Sequence, residues 1–193
     1  MGVLNIDQFN FSTMKKNTPL SQVSSEALRF DRTLTFLKAT LPPPARILDL
    51  GADNNFARIM RDHGYEVLNT DGDLDDHPEV VHNVDVDAVT AFEILEHLVG
   101  PINVLRQITA PRLIATIPLR LWFATAYNNP NDPWDRHFHE FEPWQFDWLL
   151  DKSGWDVRQS EKWNSPIRRL GIRPFLRLIT PRYYAVDARR KIP

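Results

Sequence analysis

Apolar residues recur along this chain with two alternating spacings. Ile47, Leu48 and Leu50 form the short continuous run of a strand buried on both faces; Phe56, Ile59 and Met60 follow at helical spacing; Gly64 stops that helix, and Glu66 to Thr70 reads as a second strand. Gly51 stands between the first strand and its helix, where a sharp turn needs a residue tolerant of positive φ. Upstream, Ser24 or Ser25 can cap a helix that carries Ala27, Phe30, Leu34 and Leu37 on one face and ends at Pro42-Pro43-Pro44. Downstream, a strand starting at Val89, a helix from Pro101 carrying Ile102, Leu105 and Ile108, and a strand over Leu113 to Ile117 repeat the alternation. Pro143 to Lys152 reads as a helix stopped by Gly154. Trp155 to Gln159 and Tyr183 to Arg189 read as the last two strands, joined by an irregular, Arg-rich segment.

Strands alternating with helices predict an α/β fold, Rossmann-like and doubly wound, with a mostly parallel sheet. The chain reads as one domain over residues 1–193. Residues 1–23 show no period and are expected to form a mobile arm, and the turn-rich stretch within 118–136 follows the strand over Leu113 to Ile117, where a lid would be inserted. A third strand beyond the second would need the chain to cross three strand spacings, about 14 Å, and descend about 17 Å, whereas Asp85 to Asp87 spans only about 10 Å. That strand is expected to be vestigial or absent.

The turn after the first strand bears on the ligand. Asp71 falls at the carboxyl end of the second strand, about twenty residues past Gly51, where a carboxylate can accept from the ribose hydroxyls of an adenosine. A dinucleotide site wants a second glycine where Asp53 stands, and the Asp53 carboxylate would repel a pyrophosphate. S-adenosylmethionine has no phosphate and ends in a cation, so Asp53 favours it over NAD.

Here the chain resembles the class I S-adenosylmethionine-dependent methyltransferases. Their first motif, Asp-x-Gly-x-Gly, appears as Asp49-Leu-Gly51-Ala-Asp53, with Asn55 at the place of a third glycine. Asp71 matches the ribose-binding acid. Val89 to His97 resembles the fourth strand and its following Glu-His, Ala115 to Pro118 the end of the fifth, and His139-Glu-Phe-Glu with Leu149 to Trp155 the later His, helix and Gly-aromatic strand. The resemblance implies that the last strand runs antiparallel at one edge of the sheet, and it implies cofactor contacts from Asp49, Gly51, Asp53, Asp71, Asp85 and Glu93, with Asp85 or Asn83 near the adenine. Methyl transfer to a hydroxyl needs a base or a metal, and His97 and His139 are the candidate bases. Glu93, Glu96, His97 and His139 are similar to a pattern in small-RNA 3′-terminal ribose methyltransferases, which implies a divalent metal there. The alternatives are that Glu93 serves the cofactor or a backbone amide, and that Glu96 and His97 cap their own loop.

Composition adds limits. With 42% hydrophobic and 25% charged residues among 193 and no long apolar run, the chain reads as a globular protein without a membrane partner, and its amino terminus lacks a signal peptide, so a cytoplasmic location is expected. The absence of cysteine excludes a thiolate metal site or a thiol nucleophile. From Lys162 onward nine Lys or Arg face Asp187 alone, either a patch for a phosphate-rich partner or a solvated face that offsets an acidic body. Three readings follow: transfer to a small-molecule acceptor, transfer to RNA ribose, and an inactive fold that binds a partner. Trp122, Phe123 and Tyr127 are candidates for an apolar substrate wall. Trp144 and Trp148, one helical turn apart, read as core.

Overall fold

The computed structural model describes residues 25–132, 134–164 and 171–191, apart from the side chains of Ser25, Arg173 and Pro174; the arm expected over 1–23 lies outside them. In chain order the elements are α1 (Ser25–Thr40), β1 (Ala45–Asp49), α2 (Asn55–Asp62), β2 (Tyr65–Asn69), β3 (Ala88–Phe92), α3 (Pro101–Gln107), β4 (Arg112–Pro118), α4 (Pro143–Lys152), β5 (Trp155–Trp163), α5 (Ile172–Ile179) and β6 (Tyr183–Arg190). They form one sheet in the order β2-β1-β3-β4-β6-β5. The first four strands are parallel, and β6 lies antiparallel to both β4 and β5.

Strand periodicity divides the core between the two faces. Ile47 turns to a cluster with Leu34 and Leu37 of α1 and Phe56 and Met60 of α2. Its neighbour Leu48 turns to the opposite cluster with Val104 and Leu105 of α3 and Phe146 and Leu150 of α4. Two helices thus cover each face, which lets the central strands be apolar on both sides. No further strand lies outside β2 among the described residues, as the reach of the connecting chain requires. Residues 70–87 instead carry only a single 3-10 turn, Pro78–Val81.

Two expectations are corrected. The Arg-rich segment between the last strands contains α5, whose Ile172, Phe175 and Ile179 are exposed. Trp144 and Trp148 are not core: each is 59% exposed, because α4 turns Phe146 and Leu150 inward instead. No helix among the described residues is long and apolar enough to cross a membrane.

Candidate active site

The carboxyl ends of β1 and β3 open into a cavity of about 540 Å³. Its floor begins at the turn after β1. Gly51 holds φ at +101°, a conformation that strains any residue with a side chain, and a Cβ there would meet Ile94 Cδ1 at 3.0 Å, so the tip of Ile94 would have to give way. The turn is pinned from β2: Gly51 N donates to Thr70 Oγ1 at 2.7 Å, and Asn69 Nδ2 reaches Gly51 O at 3.3 Å. Asn54 then caps α2, its Oδ1 accepting from the amides of Phe56 and Ala57 at 2.8 and 3.0 Å, and faces the cavity.

Three carboxyl groups converge beside this turn. Asp49 is buried at the end of β1, accepts from Thr90 Oγ1 at 2.6 Å, and has its pKa pushed up to about 7 by burial. Glu93 follows β3 at φ +54°, a strained setting for a residue with a Cβ, held by its amide donating to Thr116 O at 2.9 Å. Burial raises its pKa, opposed by Arg29, whose Nη1 stands 3.6 Å away, and by Arg182. Its Oε1 has no partner among the described residues. Glu96 is 1% exposed, and burial, reinforced by the charge of Glu93, holds its carboxyl well above the usual range.

A loop built from residues after β4 closes the far side. Tyr127 N and His137 Nδ1 both bond Glu140 Oε1 at 2.9 Å, Tyr127 Oη donates to Asp135 Oδ2 at 2.9 Å, and Asn128 bridges Arg136. The loop is joined to the turn after β3, since Phe138 N and His139 N donate to Glu96 O. Tyr127, Asp135 and His137 therefore line the cavity with His97. The His97 and His137 rings meet edge to face at 5.0 Å. Burial lowers the His137 pKa, against the pull of Glu140.

Of the residues singled out from sequence, Asp49, Glu93, Glu96 and His97 line the cavity. Gly51 shapes it from behind. Asp53 is turned away into an ion pair with Arg61 at 2.7 Å, so the acid that stands in place of glycine is neutralised by its own helix. Asp71 is exposed next to Thr70, its Oδ1 accepting from the amide of Gly72 at 2.9 Å. Asp85 is not near an adenine site: Arg46 Nη1 lies 3.8 Å from its carboxylate and donates to its carbonyl, which places it at the amino end of β1. His139 is also outside the cavity, with Nε2 3.3 Å from Val99 O and its ring stacked on Phe141. The four-residue metal set is thereby broken, Glu93 being drawn to Arg29 and His139 facing elsewhere. Of the proposed aromatic wall only Tyr127 lines the cavity, while Trp122 is 68% exposed.

The sequence matches a family model described as Methyltransferase domain over residues 22–160. The chain belongs to this methyltransferase domain family. No curated protein sequence matches it. Among solved structures, this methyltransferase domain superposes on Burkholderia thailandensis 1,6-didemethyltoxoflavin-N1-methyltransferase with TM-score 0.60 and 19% identity, covering 85% of this chain and 79% of that one. That protein holds 1,6-didemethyltoxoflavin and S-adenosylhomocysteine. The [4+2]-cyclase SpnF gives TM-score 0.62 at 16% identity, covering 92% and 86%. An Archaeoglobus fulgidus S-adenosylmethionine-dependent methyltransferase gives 0.58 at 16%, covering 86% and 95%. Such distant likenesses establish the fold, and a cyclase among them illustrates that the fold does not choose the reaction.

Proposed function

We propose that the protein transfers a methyl group from S-adenosylmethionine to a nucleophile of a small-molecule acceptor. The observation that carries this reading is the set of buried carboxyls, Asp49 and Glu93, beside the positive-φ turn at Gly51. Acids in a buried crevice suit a ligand that ends in a cation and carries no phosphate, and Glu93 Oε1 is without a hydrogen-bond partner among the described residues. Asp49 and Glu93 would hold the cationic end. Asp71, the exposed residue that follows Thr70, would accept from the ribose hydroxyls. The bound cofactor supplies a methyl carbon made electrophilic by its sulfonium. The acceptor's lone pair attacks that carbon, the C–S bond breaks with its electron pair left on sulfur, and the acceptor gives up a proton. The segments 119–132 and 134–142 contribute Tyr127, Asp135 and His137 to the acceptor end and would act as its lid.

A small acceptor is favoured over RNA because, among the described residues, Arg182, Arg190 and Lys191 of the basic tail are engaged within the protein. Arg190 lies over the Trp155 ring at 5.3 Å, Lys191 pairs with Asp151, and Arg182 donates to Leu119 O at 2.8 Å and lines the cavity.

Calorimetry with S-adenosylmethionine and S-adenosylhomocysteine tests the cofactor step. Asp71→Ala removes a charged acceptor worth about 1.5 to 3 kcal/mol, so affinity should fall roughly ten- to hundredfold. Equal affinity in the variant removes Asp71 from the site, and no binding by the wild type removes the reading itself.

Asp49 gives a second measurable consequence. Its folded pKa is raised, so between the ordinary carboxyl value and about 7 the folded state holds the extra proton and stability falls as pH rises through that window. A cation bound beside it selects the ionised form. The cofactor's α-ammonium stays charged over that range, so affinity should rise about tenfold or more from about pH 5.5 to about pH 7. Asp49→Asn should flatten the rise; an unchanged profile would show that Asp49 does not meet the cation.

A further inference from the structure

We propose that Glu96, His97 and His137 form a three-ligand site for a borderline divalent cation, Zn²⁺ in the first instance, at the acceptor end of the cavity. One ligand atom from each lies within 4.8 Å of the others, and all three residues line the cavity. Both imidazoles are set from behind. His97 Nδ1 lies 2.9 Å from Arg136 O, a group that only accepts, so Nδ1 carries the proton and Nε2 keeps its lone pair. His137 Nδ1 lies 2.9 Å from the Glu140 carboxylate, with the same result. An imidazole bonded through Nδ1–H to a carbonyl or carboxylate is the outer arrangement that orients metal-binding histidines and raises their basicity.

Glu96 supplies the third donor and the independent sign of a missing partner. Its Oε1 lies 3.7 Å from His97 Nε2, while Oε2 has no hydrogen-bond partner among the described residues, in a side chain 1% exposed. A buried carboxyl group with an unpaired oxygen is costly, and ligation of the group to a cation offsets that cost. Bonds of about 2.0 to 2.2 Å in a tetrahedron bring ligand atoms to about 3.4 Å of one another, so the group must close by about an ångström. His137 sits on the loop between β4 and α4, outside regular secondary structure, and can supply that shift.

Two nitrogens and one carboxylate oxygen with a fourth position open match catalytic zinc sites, whereas Mg²⁺ and Ca²⁺ favour oxygen alone. The site deepens the methyl-transfer reading and its role rests on it. An acceptor hydroxyl in the open position would lose its proton to solvent water at lowered pKa; its oxygen then attacks the methyl carbon, forming C–O as C–S breaks.

The test uses full-length protein without a histidine tag, stripped by chelator and titrated with Zn²⁺ in the calorimeter, with S-adenosylhomocysteine affinity and thermal melting measured on the same preparations. One equivalent of Zn²⁺ is expected, with no competition from Mg²⁺. Glu96→Gln and His137→Ala should each weaken Zn²⁺ binding at least about a hundredfold, and Glu140→Gln roughly ten- to hundredfold. His139→Ala should leave it unchanged. Variants that keep the wild-type melting temperature yet lose Zn²⁺ report lost ligands rather than lost fold. Protein that binds S-adenosylhomocysteine but takes up no Zn²⁺, or whose uptake survives both Glu96→Gln and His137→Ala, overturns the site and leaves the methyl-transfer reading standing. Zn²⁺ uptake without cofactor binding keeps the site and removes that reading.

Discussion

Arg112→Ala is expected to destabilise the protein by about 3 to 5 kcal/mol, because it breaks a buried ion pair from one side. Arg112 opens β4, and its Nε and Nη2 meet the two oxygens of Asp187 on β6 at 2.7 and 2.8 Å. Both side chains are nearly removed from solvent, 9% and 7% exposed. The truncation leaves a desolvated carboxylate with no counter-charge at the junction of the parallel and antiparallel halves of the sheet. Replacing both partners by apolar residues of similar volume should restore much of the loss, since the pair itself repays little beyond its own desolvation. Urea unfolding of Arg112→Ala and of the double replacement measures this. A loss under about 1 kcal/mol for Arg112→Ala would mean that water reaches Asp187.

Trp155→Ala should cost a similar amount, about 3 to 5 kcal/mol, by a different route. Trp155 starts β5, is 1% exposed, and packs in the cluster formed with α3 and α4. Its Nε1 donates to Leu105 O at 3.0 Å, and the Arg190 guanidinium covers its ring at 5.3 Å. Truncation opens a cavity, leaves Leu105 O with only the longer bond from Arg190 Nη1 at 3.4 Å, and uncovers the Arg190 guanidinium. Trp155→Phe keeps most of the volume and loses the donor, so it should recover more than half of the deficit. If Phe and Ala variants unfold at the same urea concentration, the hydrogen bond rather than the volume is what the site depends on.

Much of the fold was legible because its determinants are local. Gly51 and Gly64 mark turns, Ile47 and Leu48 point to opposite clusters, and the absent outer strand follows from how far Asp85 to Asp87 can reach. Where a helix carries two apolar stripes, the pattern loses its power: on α4, Trp144 with Trp148 and Phe146 with Leu150 are each one turn apart, and tertiary packing chose the second pair. The site was legible where a strand end delivers the residue, as for Asp49 and Glu93. It was not legible in the irregular loop before α4. His137 and His139 are two apart and close upon different partners, and resemblance alone selected His139. The signal for His137 was a carboxylate three residues on, Glu140, which only a folded loop brings onto Nδ1. Arg29 and Arg182 were missed because the helix and the strand approach that deliver them to the cavity are far apart in sequence.

The two margins of the sheet bear on association between copies. β2 leaves one side of its main chain unmatched, but five residues give a length of only about 17 Å, and Glu66 is paired there with Arg46 at 2.9 Å. At the other margin β5 is nine residues long, a span on which another chain could stack. It is interrupted by an irregularity between Val157 and Gln159, and the exposed charges of Arg158, Glu161 and Lys162 follow along it. One border resists fibril-like growth by brevity and the other by a break in register and by charge.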